Sequence, residues 1–166
     1  MGTLQYLPPI HKTEKYLLEI RNRNKWILEM GGTKIMFLKR KWQGERCPSC
    51  YSNIRRQSAN VNCLQCFGTG YLGGYETPIE IMASLIGPGQ KTITTEKHGM
   101  FIEKEAQSWT LWEPELTERD IFVIPMTGVR YEILNVTPTQ WHSINIRQKF
   151  SYKEIEKTNI IYKIEI

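Results

Sequence analysis

The residues best suited to chemistry in this chain are its four cysteines, which form two Cys-x-x-Cys pairs. The pairs are Cys47/Cys50 and Cys63/Cys66, and twelve residues lie between them. Two residues between paired cysteines allow both thiolates to face one metal ion from a tight turn, with backbone amides free to donate to the sulfurs. Two such pairs complete a tetrahedral shell of four sulfurs, which suits zinc. The spacing therefore predicts a structural zinc site with no coordination position open for a catalytic water.

Other chemistries use the same residue type. A thioredoxin-like redox pair needs one Cys-x-x-Cys at the start of a helix in a βαβ unit, and this sequence has two pairs and no such pattern. An iron site of the rubredoxin kind would use the same four ligands, and disulfides would use the same cysteines, so both alternatives stay open. The beginning of the chain does not read as a signal peptide, and the longest mostly apolar stretch, Ile79 to Ile86, is too short to cross a bilayer. We therefore expect a reducing cytoplasm, where cysteines are more often metal ligands than disulfides.

No other group of residues suggests catalysis, and we expect a protein that is not an enzyme. The three histidines are scattered, with no acid or nucleophile at a suggestive spacing: His11, His98 and His142. The glycine-rich run 68–74 lacks the lysine followed by serine or threonine that ends a phosphate-binding loop, and is interpreted as a turn. Three tryptophans could stack on nucleic-acid bases, but strand positions favour the core or a subunit interface: Trp109, Trp112 and Trp141.

Positive charge is concentrated in one part of a chain whose net charge is +5. Residues 21–56 carry ten basic side chains against two acids, Glu29 and Glu45. The ten are Arg21, Arg23, Lys25, Lys34, Lys39, Arg40, Lys41, Arg46, Arg55 and Arg56. The segment could meet phosphate or an acidic protein, which makes a nucleic-acid-binding zinc-ribbon module one alternative function. A solvated face that also offsets the negative charge of a zinc tetrathiolate is the simpler interpretation.

The first of three stretches, residues 1–32, is predicted to be an N-terminal arm followed by a helix. Thr13 is the predicted N-cap, and Gly31-Gly32 is the predicted end, since glycine reaches left-handed backbone angles without a steric penalty. Asn24 interrupts the apolar face, which leaves one long helix or two short ones. The face consists of Tyr16, Leu17, Ile20, Ile27 and Leu28.

The second stretch, residues 33–77, is predicted to be a strand at 34–42 followed by the zinc-knuckle lobe. The lobe is rich in Cys, Gly, Ser and Asn and has too little apolar material to offset its ordering entropy without a metal. The third stretch, residues 78–166, reads as a β-domain. The sequence thus predicts a mainly β fold, a small barrel or sandwich, with an N-terminal helix and a zinc-ribbon-like insertion.

Alternation of apolar and polar residues gives the details of the β-domain. Short strands are predicted within SWTLWEP at 108–114 and DIFVIP at 120–125, and a closing strand at 160–166. The alternation changes phase between Ile133 and Leu134, which predicts a bulge. Turns are predicted at 127–128 and 137–139, and a brief helix at 152–157.

Two parts of the sequence resemble proteins of tailed bacteriophages. Residues 63–81, CLQCFGTGYLGGYETPIEI, look like the zinc-knuckle segment of small structural proteins of these viruses. The β-domain is similar to head-completion or head-closure (neck) proteins in five segments: DIFV at 120–123, GVRYEI at 128–133, NVTP at 135–138, IRQKF at 146–150 and IYKI at 161–164.

This resemblance implies a virion component, assembled in the host cytoplasm, that forms a ring between the portal and the tail. Copies of the chain would surround the DNA exit channel, close the filled head and dock the tail. The implied partners are copies of itself, portal or adaptor proteins and tail proteins, with packaged DNA a further candidate through residues 21–56. No membrane and no small-molecule substrate are expected. The zinc lobe, the helix at 13–30 and residues 109–114 are assigned to interfaces, and a tail or baseplate component is an alternative.

Overall fold

The computed structural model describes residues 10–54, 56–86, 91–95, 101–105 and 108–166. Its elements are a helix, ten strands and a short 3₁₀ helix in the described residues. They are α1 (Ile10–Gly31), β1 (Thr33–Leu38), β2 (Tyr51–Ser52), β3 (Gln57–Ser58), β4 (Ile79–Ser84), β5 (Lys91–Thr95), β6 (Phe101–Glu105), β7 (Ser108–Leu111), β8 (Ile121–Val123), β9 (Arg130–Trp141), β10 (Ile144–Glu154) and the 3₁₀ helix Ile160–Lys163.

Six antiparallel strands close into a barrel in the order β1-β4-β7-β10-β9-β8. The barrel closes because β1 pairs on one side with β4 and on the other with β8, where Phe37 faces Phe122. Alternate side chains of its strands point inward and fill the interior, led by the fully buried Phe37, Phe122 and Phe150. The fold class is thereby confirmed as mainly β, in its barrel form, with a helix and a cysteine-containing insertion. Two further pairs, β2-β3 and β5-β6, lie outside the barrel.

The long β9-β10 hairpin corrects one prediction and confirms another. The predicted turn at 137–139 is wrong, because these residues lie within β9 and Pro138 is in register with Gln148. The chain instead reverses at His142 and Ser143, which both have left-handed φ angles of 46° and 64°. The predicted bulge is confirmed, since Ile133 pairs with Tyr152 and Asn135 with Ser151, which leaves Leu134 as the extra residue.

The C-terminal segment differs most from its prediction. The helix at 152–157 is wrong because β10 continues to Glu154, and the closing strand at 160–166 is wrong because residues 160–163 form a 3₁₀ helix. The guanidinium of Arg130 accounts for this, since it donates to the carbonyls of Ile161 and Ile164. Ile161, Tyr162 and Ile164 therefore pack on the buried cluster that contains Val123, and the segment adds no strand to the sheet.

The helix α1 is continuous and packs on the outer face of β4, β7 and β10. It begins before the predicted cap at Thr13, so that prediction is wrong, and it ends at Gly31 as expected. Its buried line is Leu17, Asn24 and Leu28, so Asn24 belongs to the packed face. Arg21 fixes the helix in place, because its Nη2 donates to the Asn145 carbonyl at 2.7 Å and its guanidinium lies 4.2 Å from the Trp112 ring centroid.

No helix among the described residues is both long enough and apolar enough to cross a membrane.

Candidate metal centre

The cysteines lie in a lobe, residues 39–76, that leaves the barrel between β1 and β4. Two antiparallel segments form its stem and hydrogen-bond to each other along their length. Glu76 N–H donates to the Lys39 carbonyl at 2.8 Å, Lys41 N–H to Gly74 at 3.0 Å and Leu72 N–H to Glu45 at 2.8 Å. The orientation of the lobe is thus set by main-chain bonds at its base.

The lobe brings all four predicted ligands together. Their sulfur atoms lie within 4.8 Å of one another, and all four side chains are buried. Sγ of Cys47 lies 3.7 Å from Sγ of Cys63, and Sγ of Cys50 lies 3.2 Å from Sγ of Cys66. A tetrahedral ion with metal–sulfur bonds of about 2.3 Å requires sulfur–sulfur distances of about 3.8 Å. A disulfide needs about 2.05 Å, so these cysteines are free thiols in a geometry that could hold a metal ion.

Tight turns place each cysteine pair. Tyr51 N–H donates to the Cys47 carbonyl at 3.1 Å, and Phe67 N–H donates to the Cys63 carbonyl at 2.8 Å. The two turns are tied together because Cys47 N–H donates to the Gly70 carbonyl at 2.9 Å. Each Cys-x-x-Cys pair therefore presents both sulfurs to the same point, as its spacing predicts.

Burial and hydrogen bonding have opposite effects on two of the thiols. Burial is the main cause that raises the pKa of Cys50 to about 12, although the Ser58 hydroxyl favours its thiolate. Burial also raises the pKa of Cys63, but hydrogen bonds from the backbone of Gln65 and Cys66 and from neighbouring thiols outweigh it and lower that pKa to about 7. Cys63 therefore ionises more readily than Cys50. A bound cation would remove the protons of the remaining thiols, since a coordinating thiol is deprotonated outright.

The lobe has little core apart from the cysteines. The one buried cluster formed wholly by its described residues consists of Cys47, Cys50, Cys63 and Cys66, while Tyr75 and Phe67 belong to a cluster shared with the barrel. Three of its apolar side chains point to solvent, with exposed fractions of 97% for Ile54, 73% for Val61 and 59% for Leu64. The stability of the lobe consequently depends on what the four sulfurs bind.

The basic segment 21–56 does not form one free surface. Seven of its nine described cations have partners within the chain. Arg21 binds Asn145 and stacks on Trp112, Lys34 pairs with Glu80, Lys41 donates to Leu72, and Arg46 donates to Asn53 and stacks on Tyr51. Lys25 lies near Glu29, Lys39 donates to the Glu115 carbonyl, and Arg40 lies over the Trp42 ring. Arg55 lies outside the described residues. These contacts favour a structural use of the charge, and contact with DNA stays a prediction.

The remaining residues considered from sequence do not join the cysteines. His142 lies in the β9-β10 turn, while His98 and the side chain of His11 lie outside the described residues. Of the two positions predicted for the three tryptophans, core or interface, the core is not the one observed, because each is half-buried at the surface: Trp109 against Arg147, Trp112 against Arg21 and Trp141 against His142. Their assignment to an interface stays a prediction.

Sequence reasoning missed one residue that supports the lobe. The Asp120 carboxylate is fully buried and accepts from Arg40 N–H at 2.8 Å, Thr117 N–H at 2.6 Å and the Thr117 hydroxyl at 3.0 Å. Burial raises the pKa of this carboxyl, while the three donors favour its ionised form. Arg40 lies in the stem, so Asp120 joins the lobe to the barrel. The Thr-x-x-Asp pattern before a buried strand is the signal that could have identified it.

Comparison of the sequence with models of known protein families, and with curated proteins, gives no match. We therefore infer the role of the centre from the chemistry of the lobe.

Gly74→Ala is expected to weaken metal binding by the lobe. Gly74 has a φ of 66°, and a Cβ there would lie 2.6 Å from the Cys66 carbonyl oxygen, so the turn that carries Cys66 must shift. The matched control is Gly128→Ala, since Gly128 has a φ of 67° with nothing within 4 Å of its added Cβ. Both variants incur a backbone cost of about 1 kcal/mol, but only Gly74→Ala should also release metal at lower chelator concentration. Equal chelator resistance in the two variants would contradict this role for Gly74.

Proposed function

We propose that this chain is a structural assembly protein whose zinc-bound lobe docks on a neighbouring subunit. The observation that carries the proposal is the inverted polarity of the lobe. Its sulfurs lie inside, while Ile54, Val61 and Leu64 are exposed on its surface. Burying such side chains against a partner is favourable, and main-chain bonds at the stem already fix the direction in which they point.

Zinc is the metal that suits this role. Four thiolates give zinc a closed tetrahedral shell, and zinc has no redox chemistry. A closed shell leaves no position for a reacting water, so the proposed centre shapes the lobe and has no turnover. In this proposal the protein is accordingly not an enzyme.

The assembly that we propose is the head–tail connector of a tailed phage. The support is the resemblance of residues 63–81 and of the β-domain to neck proteins, together with a small barrel that carries separate outward-facing elements. The helix α1, the lobe and the region of Trp109 lie on the outside of the barrel. Head-to-tail contacts between such faces close into a ring when the rotation between copies permits it. In this proposal the ring closes the head and receives the tail.

The direct test is quantitative mass spectrometry of purified particles from the phage that encodes the chain, combined with immunogold labelling. We expect the protein in intact particles, at a copy number far below that of the major capsid protein, with label at the head–tail junction. Label at the distal end of the tail would indicate a baseplate component. Absence from particles, with the protein present in infected cells, would contradict a virion role.

A DNA-binding zinc ribbon predicts a different result for the isolated protein. Phosphate-driven binding falls steeply as salt increases. We expect the purified chain to bind duplex DNA weakly at physiological salt, because seven of the nine described cations in the basic segment already have partners. Tight, salt-sensitive binding would favour the zinc-ribbon function.

A further inference from the structure

A groove of about 380 Å³ lies between the C-terminal half of α1 and the outer face of the barrel. Its lining is mainly apolar and comes from the helix, from β4 and from the end of β7: Leu28, Ile79, Ile81, Met82, Leu111 and Pro114. Ile79 is 45% exposed. The groove therefore offers apolar surface in a concave form, which suits a protruding apolar side chain.

Acidic residues predominate among the charged groups that line this groove. Glu29, Glu80 and Glu113 carry negative charge there, against the single lysine Lys25. Two of the acids have partners, since Glu29 lies 3.8 Å from Lys25 and Glu80 lies 3.0 Å from Lys34. Glu113 is exposed at the edge, next to Pro114. An occupant with an apolar tip and a nearby positive charge would complement this lining.

The lobe of the same chain has a feature with these properties. Ile54 lies in the turn between β2 and β3 and is 97% exposed, so this side chain does not occupy the groove of its own chain. Arg56 follows in the same turn and is exposed. Arg46 fixes the turn by donating to Asn53 Oδ1 at 3.1 Å. The tip thus presents one apolar knob with cationic side chains beside it.

We infer that Ile54 of one copy inserts into the α1–barrel groove of a second copy, with Arg56 near Glu113. The inference rests on the proposed function and names the contact through which copies assemble. The Ile54 tip and the groove are different surfaces of the same chain, so the contact is heterologous. Every copy can insert its Ile54 into one neighbour and accept the Ile54 of another. It extends into a ring or a chain of subunits, as a connector requires.

Complementary variants provide the test, with the full metal-loaded protein in sedimentation velocity over a wide concentration range. Ile54→Asp removes the knob, and Ile79→Asp removes the groove; Glu113→Lys serves as a second, exposed groove variant. Each should weaken self-association about tenfold or more. The control, Met126→Asp, alters a side chain that is 94% exposed on the barrel and should associate like the original protein.

Mixing identifies the head-to-tail arrangement. Ile54→Asp retains its groove and Ile79→Asp retains its knob, so an equimolar mixture should form a one-to-one heterodimer and nothing larger. A mixture of two charge-reversed variants should behave in the same way. When Arg56→Glu protein is added to Glu113→Lys protein, association should be restored, because the new glutamate meets the new lysine. A mixture that stays monomeric while the original protein associates would overturn the knob-in-groove contact.

A photo-reactive side chain at position 54 identifies the contact directly. In a mixture of ¹⁴N- and ¹⁵N-labelled protein, we expect intermolecular cross-links to peptides that contain residues 79–82 or 111–114. Original protein that is monomeric at its solubility limit and gives no such cross-link would overturn the inference. If the contact is not found but the protein is present at the connector, only this inference fails. If the contact is found but the protein is absent from particles, the proposed connector function fails.

Discussion

Cys63→Ser is expected to unfold the lobe and release its metal while the barrel stays folded. A structural zinc site contributes about 10–16 kcal/mol to the folding of a small metal-dependent domain. The one buried cluster that the described lobe residues form by themselves is that of the four cysteines, since Tyr75 and Phe67 pack on the barrel. The barrel has its own core around Phe37, Phe122 and Phe150. Limited proteolysis with mass spectrometry should therefore show new cleavage between Trp42 and Tyr75 only, and elemental analysis should show loss of about one metal ion per chain.

The matched control is Leu64→Ser, which introduces the same residue next to the ligand at a side chain that is 59% exposed. It should retain the metal and the protease resistance of the original protein. A strong chelator added to the original protein should reproduce the cleavage pattern of Cys63→Ser. Colourless protein with zinc in the elemental analysis would support the proposed metal, and coloured protein with iron would identify the rubredoxin-like alternative. A metal-free lobe that resists protease would contradict our explanation of its stability.

The cysteine cluster could be predicted because its determinants are local in sequence. A Cys-x-x-Cys pair converges on one point through a single turn, as seen in the bond from Phe67 N–H to the Cys63 carbonyl. Two such turns need only one further constraint, the bond between Cys47 N–H and Gly70. The barrel strands were predictable for a similar reason, since period-two alternation is a property of the chain itself.

The wrong predictions arise from partners that are distant in sequence and, in one turn, from unusual residue types. Residues 160–166 alternate like a strand, but the Arg130 guanidinium, which lies on β9, takes the carbonyls that would have paired in a sheet. The turn at His142 and Ser143 needs two left-handed residues without the usual glycine or asparagine. The residue types at 142–143 therefore did not predict a turn, whereas Pro138 predicted a turn that does not exist.

The helix face was wrong in part for the same reason. Tyr16 and Ile27 were expected to be buried because they are apolar, yet Tyr16 is 54% exposed and Asn24 is buried. The contact between Arg21 and the Asn145 carbonyl, together with its stacking on Trp112, determines which side of the helix meets the barrel. A polar anchor that joins residues so far apart has no signature in the periodicity of the helix.

Asp120→Ala is expected to lower the free energy of unfolding by about 3 kcal/mol. The side chain is fully buried and satisfies three donors, so its removal leaves Arg40 N–H, Thr117 N–H and the Thr117 hydroxyl without their acceptor in a dry environment. Urea denaturation measures the overall loss. Hydrogen exchange should also show faster exchange at the Arg40 amide, because that bond joins the stem of the lobe to the barrel.

Glu118→Ala is the control, since Glu118 is an exposed carboxylate two residues earlier and should change stability by no more than about 0.5 kcal/mol. Asp120→Asn should fall between the two, because its carbonyl oxygen accepts from one side while its amide group faces a donor on the other. The order Asp120→Ala, Asp120→Asn, Glu118→Ala, from least to most stable, follows only if both carboxylate oxygens of Asp120 act as acceptors. If Asp120→Ala were as stable as Glu118→Ala, the carboxylate would not be what fastens the metal-binding lobe to the barrel.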